Sequence, residues 1–141
     1  MDLGLKDKVV LVTGGTKGIG YAAATAFANE GAVLIITAST QESLDKAITG
    51  IETATGVRPE GYLCDVTRDA DVSALATLIN EQHGRLDVLV NNAAGKLPTG
   101  DFLDIDSSEW LNGWNQKLQC YVRTVQSIYP IMKRQGGGRI V

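Results

Sequence analysis

Glycines dominate the segment that joins the first apolar run to the first helical pattern, at Gly14, Gly15, Gly18 and Gly20. Glycine lets a backbone turn sharply and approach an anion closely, and a helix N-terminus adds free N–H groups. The P-loop pattern GxxxxGK[ST] is absent, and GxGxxG/A is met only in its alanine form, ending at Ala23. The segment predicts a phosphate-binding loop; the alternative is a tight turn that binds nothing.

The elements around this loop alternate between short apolar runs and helical patterns. Strands are predicted at Val9–Val12, Val33–Ile36, near Gly61–Cys64, at Leu86–Val90 and, opening a fifth, at Arg139–Val141. Strands that are apolar throughout are buried on both faces. With helices between them, they predict an α/β fold, a Rossmann-like doubly wound parallel sheet in the order 3-2-1-4-5. The ligand crevice is expected at the carboxyl ends of strands 1 and 4, where the order reverses.

Three local features of the helices are also predicted. Ser39 and Glu42 have the spacing of a capping box for the second helix. Pro130 is expected to kink or end the long last helix, because proline lacks the N–H and clashes with the preceding turn. The apolar face of the first helix is predicted to carry Ile19, Ala23, Ala26 and Phe27.

Composition narrows the class of protein. The chain has 141 residues, 44% hydrophobic and 21% charged, which fits one globular domain. Its net charge of −3 argues against a nucleic-acid partner, and no apolar run reaches the ~18 residues of a membrane span. Cys64 and Cys120 have no metal-site spacing, so no metal is expected. The N-terminus lacks a secretory pattern, which predicts a cytoplasmic protein.

Further motifs follow in order along the chain. Asp65-Val66 follows the third strand, Asn91-Asn92-Ala93-Ala94-Gly95 follows the fourth, and Gly138-Arg139-Ile140-Val141 ends the chain. With TGxxxGxG at Thr13–Gly20 and the helix containing Trp110, the sequence resembles the N-terminal portion of the short-chain dehydrogenase/reductase superfamily. The resemblance covers all 141 residues. It departs mildly at Ala94, which stands at a glycine position of the family's NNAG.

The resemblance implies that residues 1–141 form an NAD(P)-binding Rossmann domain of an oxidoreductase. Such an enzyme transfers a hydride between the nicotinamide and a small-molecule alcohol or carbonyl substrate. Asp65 would accept from the adenine amino group beside the Val66 backbone, and Asn91, Ala93 and Gly95 would line the nicotinamide-side ribose. The alternative for Asp65 is a turn-forming role. The pyrophosphate and adenosine ribose would be held by Gly14, Thr16, Lys17, Gly18, Ile19 and Gly20.

The residue at the end of the second strand helps to predict whether the coenzyme is NAD(H) or NADP(H). An acidic residue there would bind the ribose hydroxyls and repel a 2′-phosphate, but the position falls at Ala38. Lys17 can pair with a phosphate, and Ser39 or Thr40 can donate to it, so NADP(H) is favoured over NAD(H). The alternatives are a solvated lysine and a helix N-cap at Ser39.

The family's acid/base residues are a Tyr, a Lys four positions later, and a Ser. Tyr129 and Lys133 have the YxxxK spacing, but they precede the fifth strand, whereas the family's Tyr follows it. Tyr129 is therefore interpreted as a packing residue. The Ser, Tyr and Lys are expected beyond Val141, in a longer protein, so this segment is predicted not to turn over alone.

Lys117 occupies the place of the Asn in the family's proton relay, counted from Trp110. Helical spacing gives it a face shared with Trp110, Trp114, Tyr121 and Thr124, which would partly desolvate the amine. The hypothesis is that Lys117 replaces the relay Asn or contacts the substrate; the alternative is a surface or interface lysine.

Two classes of function stay open. One is the oxidoreductase, and the other is a non-catalytic dinucleotide-binding module or truncated fragment. The resemblance also implies a homo-oligomer, a tetramer or a dimer built through the long helices. Substrate choice lies mainly outside these residues, although the Lys96–Asp106 loop is expected to rim the pocket.

Overall fold

The computed structural model describes all 141 residues, Met1–Val141, around one parallel sheet. The strand order is β3-β2-β1-β4-β5, as predicted. The strands are β1 (Val9–Val12), β2 (Val33–Ala38), β3 (Glu60–Leu63), β4 (Val88–Val90) and β5 (Arg139–Ile140). The helices are α1 (Gly18–Asn29), α2 (Gln41–Thr55), α3 (Asp69–His83), α4 (Ser107–Trp114) and α5 (Cys120–Gln135), with a π turn at Asn115–Gln119 between the last two. No helix is long and apolar enough to cross a bilayer.

β1 is the centre of the sheet and is buried along its whole length. Side chains of a strand alternate between the two faces, so Val9 and Leu11 join the core under α3 and α5. Val10 and Val12 join the core under α1 and α2. The register pairs Val12 with residues of both neighbouring strands. The loops that follow β1, β2 and β4 therefore meet at one edge of the sheet.

The buried face of α1 differs from the prediction. The residues that face the sheet are Gly20, Ala24 and Ala28, whereas Ile19 is 83% exposed. A Cβ at Gly20 would lie 2.3 Å from the carbonyl oxygen of Gly14. The start of the helix therefore lies too close to the loop for large side chains, and a face of small residues carries little hydrophobic signal in the sequence. Of the predicted face, Phe27 does pack against the core.

The N-terminus of α2 corrects the predicted capping box. Thr40, not Ser39, is the N-cap, and its Oγ1 accepts from the Ser43 N–H at 3.4 Å. β2 continues to Ala38, so the helix begins one position later than the sequence pattern indicates. A reciprocal capping box is present instead at α4, between Asp106 and Glu109.

The long last helix begins at Ser107, as expected, but Pro130 does not end it. The helix continues to Gln135 and stops at Gly136, which has φ +92°. Pro130 lies on the exposed side, where water can solvate the carbonyl that loses its N–H partner. The irregularity lies upstream, in the π turn, and a π turn commonly marks a functional site.

Candidate functional site

A cleft of about 610 Å³ opens at the carboxyl ends of β1, β2, β3 and β4. It lies where the strand order reverses, the expected position for a ligand in such a sheet. The only charged side chains in its lining are Lys17 and Asp65. The predicted site residues that it brings together are Gly14, Thr16, Lys17, Ser39, Thr40, Asp65, Val66, Ala93 and Gly95.

Four of the predicted coenzyme-binding residues do not line this cleft. Gly18 and Ile19 are exposed at the start of α1, and Gly20 is buried beneath the loop. Asn91 instead connects to the sheet edge, because its N–H donates to the Val141 carbonyl at 2.7 Å. Its Oδ1 is buried and has no hydrogen-bond partner.

The glycine loop presents the N-terminus of α1. The N-cap is Lys17, and no side chain caps the helix, so its first N–H groups have no partner within the helix. Gly18 has φ +54° and open space where a Cβ would stand. Gly14 and Gly20 have a different role. A Cβ on Gly14 would lie 2.9 Å from Ala93 Cα, and a Cβ on Gly20 would lie 2.3 Å from Asn92 Nδ2. Two of these glycines thus allow close packing, and one leaves the helix end open to an anion.

Thr13 and Asn92 hold this loop against the end of β4. The Asn92 side-chain N–H₂ donates to the carbonyl oxygens of Thr13 and Gly14, at 3.1 and 3.0 Å. The buried Thr13 hydroxyl donates to the Val90 carbonyl and accepts from the Asn92 and Ala93 N–H groups. Sequence reasoning gave neither residue a role, although each lies at the end of a predicted strand. That position was the available signal.

Thr37 adds a third connection, since its Oγ1 accepts from the Gly14 N–H at 3.2 Å. The Thr37 side chain is buried at the end of β2. Hydrogen bonds from β2 and from the segment after β4 therefore fix the glycine loop from two sides.

Of the two roles predicted for Asp65, the structure contains the turn-forming one. Its Oδ1 accepts from the Thr67 N–H at 2.9 Å and from the Thr67 hydroxyl at 2.6 Å, which is a turn-forming arrangement. These bonds hold the pKa of Asp65 below its ordinary value. The carboxylate is exposed and faces the cleft, and Oδ2 forms no hydrogen bond within the chain. That oxygen is free to accept from a ligand.

Cys64 also lines the cleft, but it is not a nucleophile. Burial, followed by the charges of Asp71 and Asp65, raises the pKa of the Cys64 thiol to about 11. The thiolate is the reactive form, so the side chain remains a protonated packing group near neutral pH.

Two consecutive side chains of the π turn lie in different pockets. Gln116 lines the cleft, and its carbonyl oxygen accepts from the Gly95 N–H at 3.2 Å. Lys117 lines a neighbouring cavity with Trp110, Trp114 and Tyr121, as its predicted face requires. The prediction of partial desolvation is wrong, because Lys117 is exposed.

Thr124 does not share the face of Lys117. It is buried, and its hydroxyl donates to the Cys120 carbonyl. The wider π turn rotates α5 away from regular α-helical spacing, which explains this error.

The prediction that Tyr129 is a packing residue is wrong. Tyr129 is 53% exposed on α5. Neither Tyr129 nor Lys133 lines the cleft.

The sheet order and the glycine loop at the switch point define a Rossmann-like α/β protein. A sequence profile for short chain dehydrogenases matches residues 8–141. The chain belongs to the short-chain dehydrogenase family.

Individual relatives agree with this assignment. The chain is 37% identical over 141 residues to the uncharacterized oxidoreductase YvrD of Bacillus subtilis, covering 100% of this chain and 52% of that protein. It is 30% identical to dehydrogenase/reductase SDR family member 4 of Mus musculus, covering 97% of this chain and 49% of that protein. The chain thus spans about half the length of the curated relatives it matches.

Solved structures show the same fold. L-sorbose reductase from Gluconobacter frateurii, complexed with NADPH and L-sorbose, superposes with a TM-score of 0.90 at 32% identity. That match covers 99% of this chain and 53% of the reductase. A short chain dehydrogenase from Shigella flexneri complexed with NADP has a TM-score of 0.88 at 26% identity, covering 99% of this chain and 59% of that one.

Proposed function

We propose that this chain is the coenzyme-binding portion of an NAD(P)(H)-dependent oxidoreductase that acts on an alcohol or carbonyl substrate. The observation that carries the proposal is the uncapped N-terminus of α1, held open beside the cleft by Asn92 and Thr37. Family membership supports the same activity. Among the relatives, YvrD is described as an oxidoreductase, and the Gluconobacter enzyme reduces L-sorbose.

The residues present fit a dinucleotide. Free N–H groups and the positive end of the α1 dipole suit a pyrophosphate, and the missing side chain at Gly18 leaves room for it. Asp65 would accept from the adenine amino group beside Val66, and Ala93 and Gly95 would border the nicotinamide-side ribose. Asn91, Ile19 and Gly20 would support this arrangement from outside the cleft lining. The coenzyme supplies the hydride chemistry when bound, and these residues orient it.

NADP(H) is the proposed coenzyme in preference to NAD(H). β2 ends at the apolar Ala38, so no carboxylate stands there to repel a 2′-phosphate. Lys17, Ser39 and Thr40 line the cleft and supply one positive charge and two hydroxyl groups. The crystallised relatives that carry NADPH or NADP are compatible with this preference.

Lys117 is proposed to contact the substrate. Of the two roles considered, substrate contact agrees better with its place in a cavity that adjoins the cleft. A relay role would be better served by a side chain inside the cleft, where Gln116 lies.

The proposed partners are a small-molecule substrate and further copies of the protein. Leu111 and Val122 leave apolar surface exposed on α4 and α5, which suits a dimer or tetramer built through these helices. A cytoplasmic location is also proposed, because Cys64 and Cys120 are both free and buried rather than paired.

A non-catalytic binding module is the second candidate, and one observation favours it for these 141 residues. No tyrosine lines the cleft, so no phenol is available there as an acid or base. The chain by itself is therefore expected to bind coenzyme without turnover.

Calorimetric titration of the chain with NADPH and with NADH tests the coenzyme assignment. We expect NADPH to bind about tenfold more tightly or better, because a charge-assisted hydrogen bond contributes about 1.5–3 kcal/mol. Lys17→Ala should remove this preference. Lys133→Ala is the matched control, since Lys133 is an exposed lysine on α5, outside the cleft lining. Equal affinities for the two coenzymes in the wild-type chain would contradict the NADP(H) assignment.

A further inference from the structure

An apolar cavity of about 430 Å³ adjoins the coenzyme cleft, between the segment after β4 and the helices α4 and α5. It is open to solvent, and its walls include exposed side chains such as Trp114. Its volume is within the range of small-molecule sites, about 300–1,000 Å³. Its walls are mostly hydrophobic, and they include both tryptophans of the chain. The lining residues include Leu97, Pro98, Trp110, Trp114, Lys117 and Tyr121.

The cavity contains a single charged group, the Lys117 ammonium. Lys117 Nζ donates to the Tyr121 hydroxyl oxygen at 2.9 Å and lies 5.1 Å from the centre of the Tyr121 ring. Because this hydroxyl accepts from lysine, its own proton is free to be donated elsewhere, and two ammonium N–H groups also remain. No carboxylate lines the cavity, and Lys117 forms no ion pair. Two adjacent donors with a net positive charge are complementary to a carboxylate.

The cavity and the cleft are separated by one layer of residues. Gln116 and Lys117 are consecutive, and they line the cleft and the cavity respectively. Gly95 closes the cleft against Gln116, since a Cβ on Gly95 would lie 1.3 Å from Gln116 Oε1. A small molecule in the cavity would therefore be next to the part of the cleft assigned to the nicotinamide-side ribose.

We propose that the cavity binds a substrate with an apolar body and a carboxylate, that is, a hydrophobic hydroxy or oxo acid. The carboxylate accepts from Lys117 and Tyr121, and the aliphatic or aromatic part packs against Trp110, Trp114 and Pro98. The term substrate rests on the proposed oxidoreductase function, whereas the binding of a hydrophobic carboxylate does not. Charge complementarity selects this class of ligand over neutral apolar molecules.

Tryptophan fluorescence measures occupancy of the cavity directly, because Trp110 and Trp114 are the chain's only tryptophans. The probes are 3-phenylpropanoate and its neutral analogue 3-phenylpropanamide, titrated into the 141-residue chain. We expect a saturable change with the carboxylate at about tenfold lower concentration than with the amide. Lys117→Met should raise the carboxylate midpoint to that of the amide. Tyr121→Phe should raise it less, and Lys133→Met, which changes an exposed lysine on α5, should leave it unchanged.

Three outcomes would overturn the proposal. The first is that the two probes have equal midpoints. The second is that Lys117→Met leaves the carboxylate midpoint unchanged. The third is a fluorescence change that depends on the protein concentration and not on the probe concentration. The last result would assign the cavity to a second copy of the chain, and sedimentation at the same concentrations would show the dimer.

A parallel titration with NADPH separates this proposal from the proposed function. Coenzyme binding without a carboxylate preference would overturn the cavity proposal alone. Carboxylate binding that depends on Lys117, in a chain that binds neither NADPH nor NADH, would overturn the oxidoreductase assignment and leave the carboxylate site standing.

Discussion

Asn92 lines the cleft and also holds the start of the glycine loop through its side-chain amide. Its amide group donates to two consecutive carbonyl oxygens, those of Thr13 and Gly14. Both carbonyls lie where β1 ends and the glycine loop begins. The hydrogen bonds fix the direction in which the loop leaves the sheet and therefore the direction of the free N–H groups of α1.

Replacing Asn92 with alanine should weaken both the loop and the fold. Loss of the two bonds leaves partly buried carbonyl groups without partners, at a cost of about 1–3 kcal/mol. We expect a lower free energy of unfolding in urea and weaker NADPH binding by calorimetry. Asn112→Ala, on the exposed surface of α4, is the control. Wild-type coenzyme affinity in Asn92→Ala would show that the loop does not need this connection.

At the scale of elements, Asp87 connects β4 to the start of β1. Its Oδ2 accepts from the Val9 N–H at 2.9 Å and from Arg85 Nε at 3.0 Å, and its Oδ1 accepts from Arg85 Nη2 at 2.6 Å. Burial by itself would raise the pKa of Asp87, but the hydrogen bonds from Arg85 and Val9 outweigh it and hold that pKa below its ordinary value.

This arrangement predicts a dependence of stability on pH. A carboxyl whose pKa is lowered by folding stabilises the protein above its unfolded pKa of about 3.9, and the contribution is lost as the pH falls through the lower folded pKa. Asp87→Ala should therefore lower the free energy of unfolding by about 1–3 kcal/mol at neutral pH. The difference from wild type should shrink below about pH 4.

Urea unfolding followed by circular dichroism at several pH values measures this difference. Asp104→Ala, an exposed carboxylate with no side-chain partner, is the control. A difference between Asp87→Ala and wild type that stays constant down to pH values below about 3 would argue against an ionised anchor.

The elements also show what local sequence can and cannot predict. β1 and the strand order followed from apolar runs separated by helical patterns, because such runs need burial on both faces. The buried face of α1 did not follow, since Gly20, Ala24 and Ala28 pack through their small size. The π turn was also missed, because contacts such as the Gly95–Gln116 hydrogen bond join residues far apart in sequence.

The candidate site also has parts that the sequence predicts and parts that it does not. The glycine loop was predictable from its place between a strand and a helix, whereas Asp65 and Ala93 were identified from the family resemblance. The roles of Thr13, Thr37 and Asn92 depend on hydrogen bonds across strands that are distant in the chain. Gln116 lines the cleft and Lys117 lines the cavity because of the π turn. Regular helical periodicity does not predict that turn.

For the molecule as a whole, the proposed coenzyme binding depends on an anion at the N-terminus of α1. Gly18 offers a direct test, because it has φ +54° and no atom within 4 Å of an added Cβ. Valine there would fill the space assigned to the diphosphate. Gly56 is a matched control, since it has φ +75°, the same open surroundings and a position at the far end of α2. Both substitutions impose similar backbone strain, about 1–3 kcal/mol.

The most direct measurement is calorimetric titration of NADPH into the wild-type chain, Gly18→Val and Gly56→Val under one set of conditions. We expect the wild type and Gly56→Val to bind NADPH alike, and Gly18→Val to bind it at least about tenfold more weakly, a loss of about 1.4 kcal/mol. Equal affinity in Gly18→Val and Gly56→Val, or no heat from the wild-type chain, would contradict the central claim.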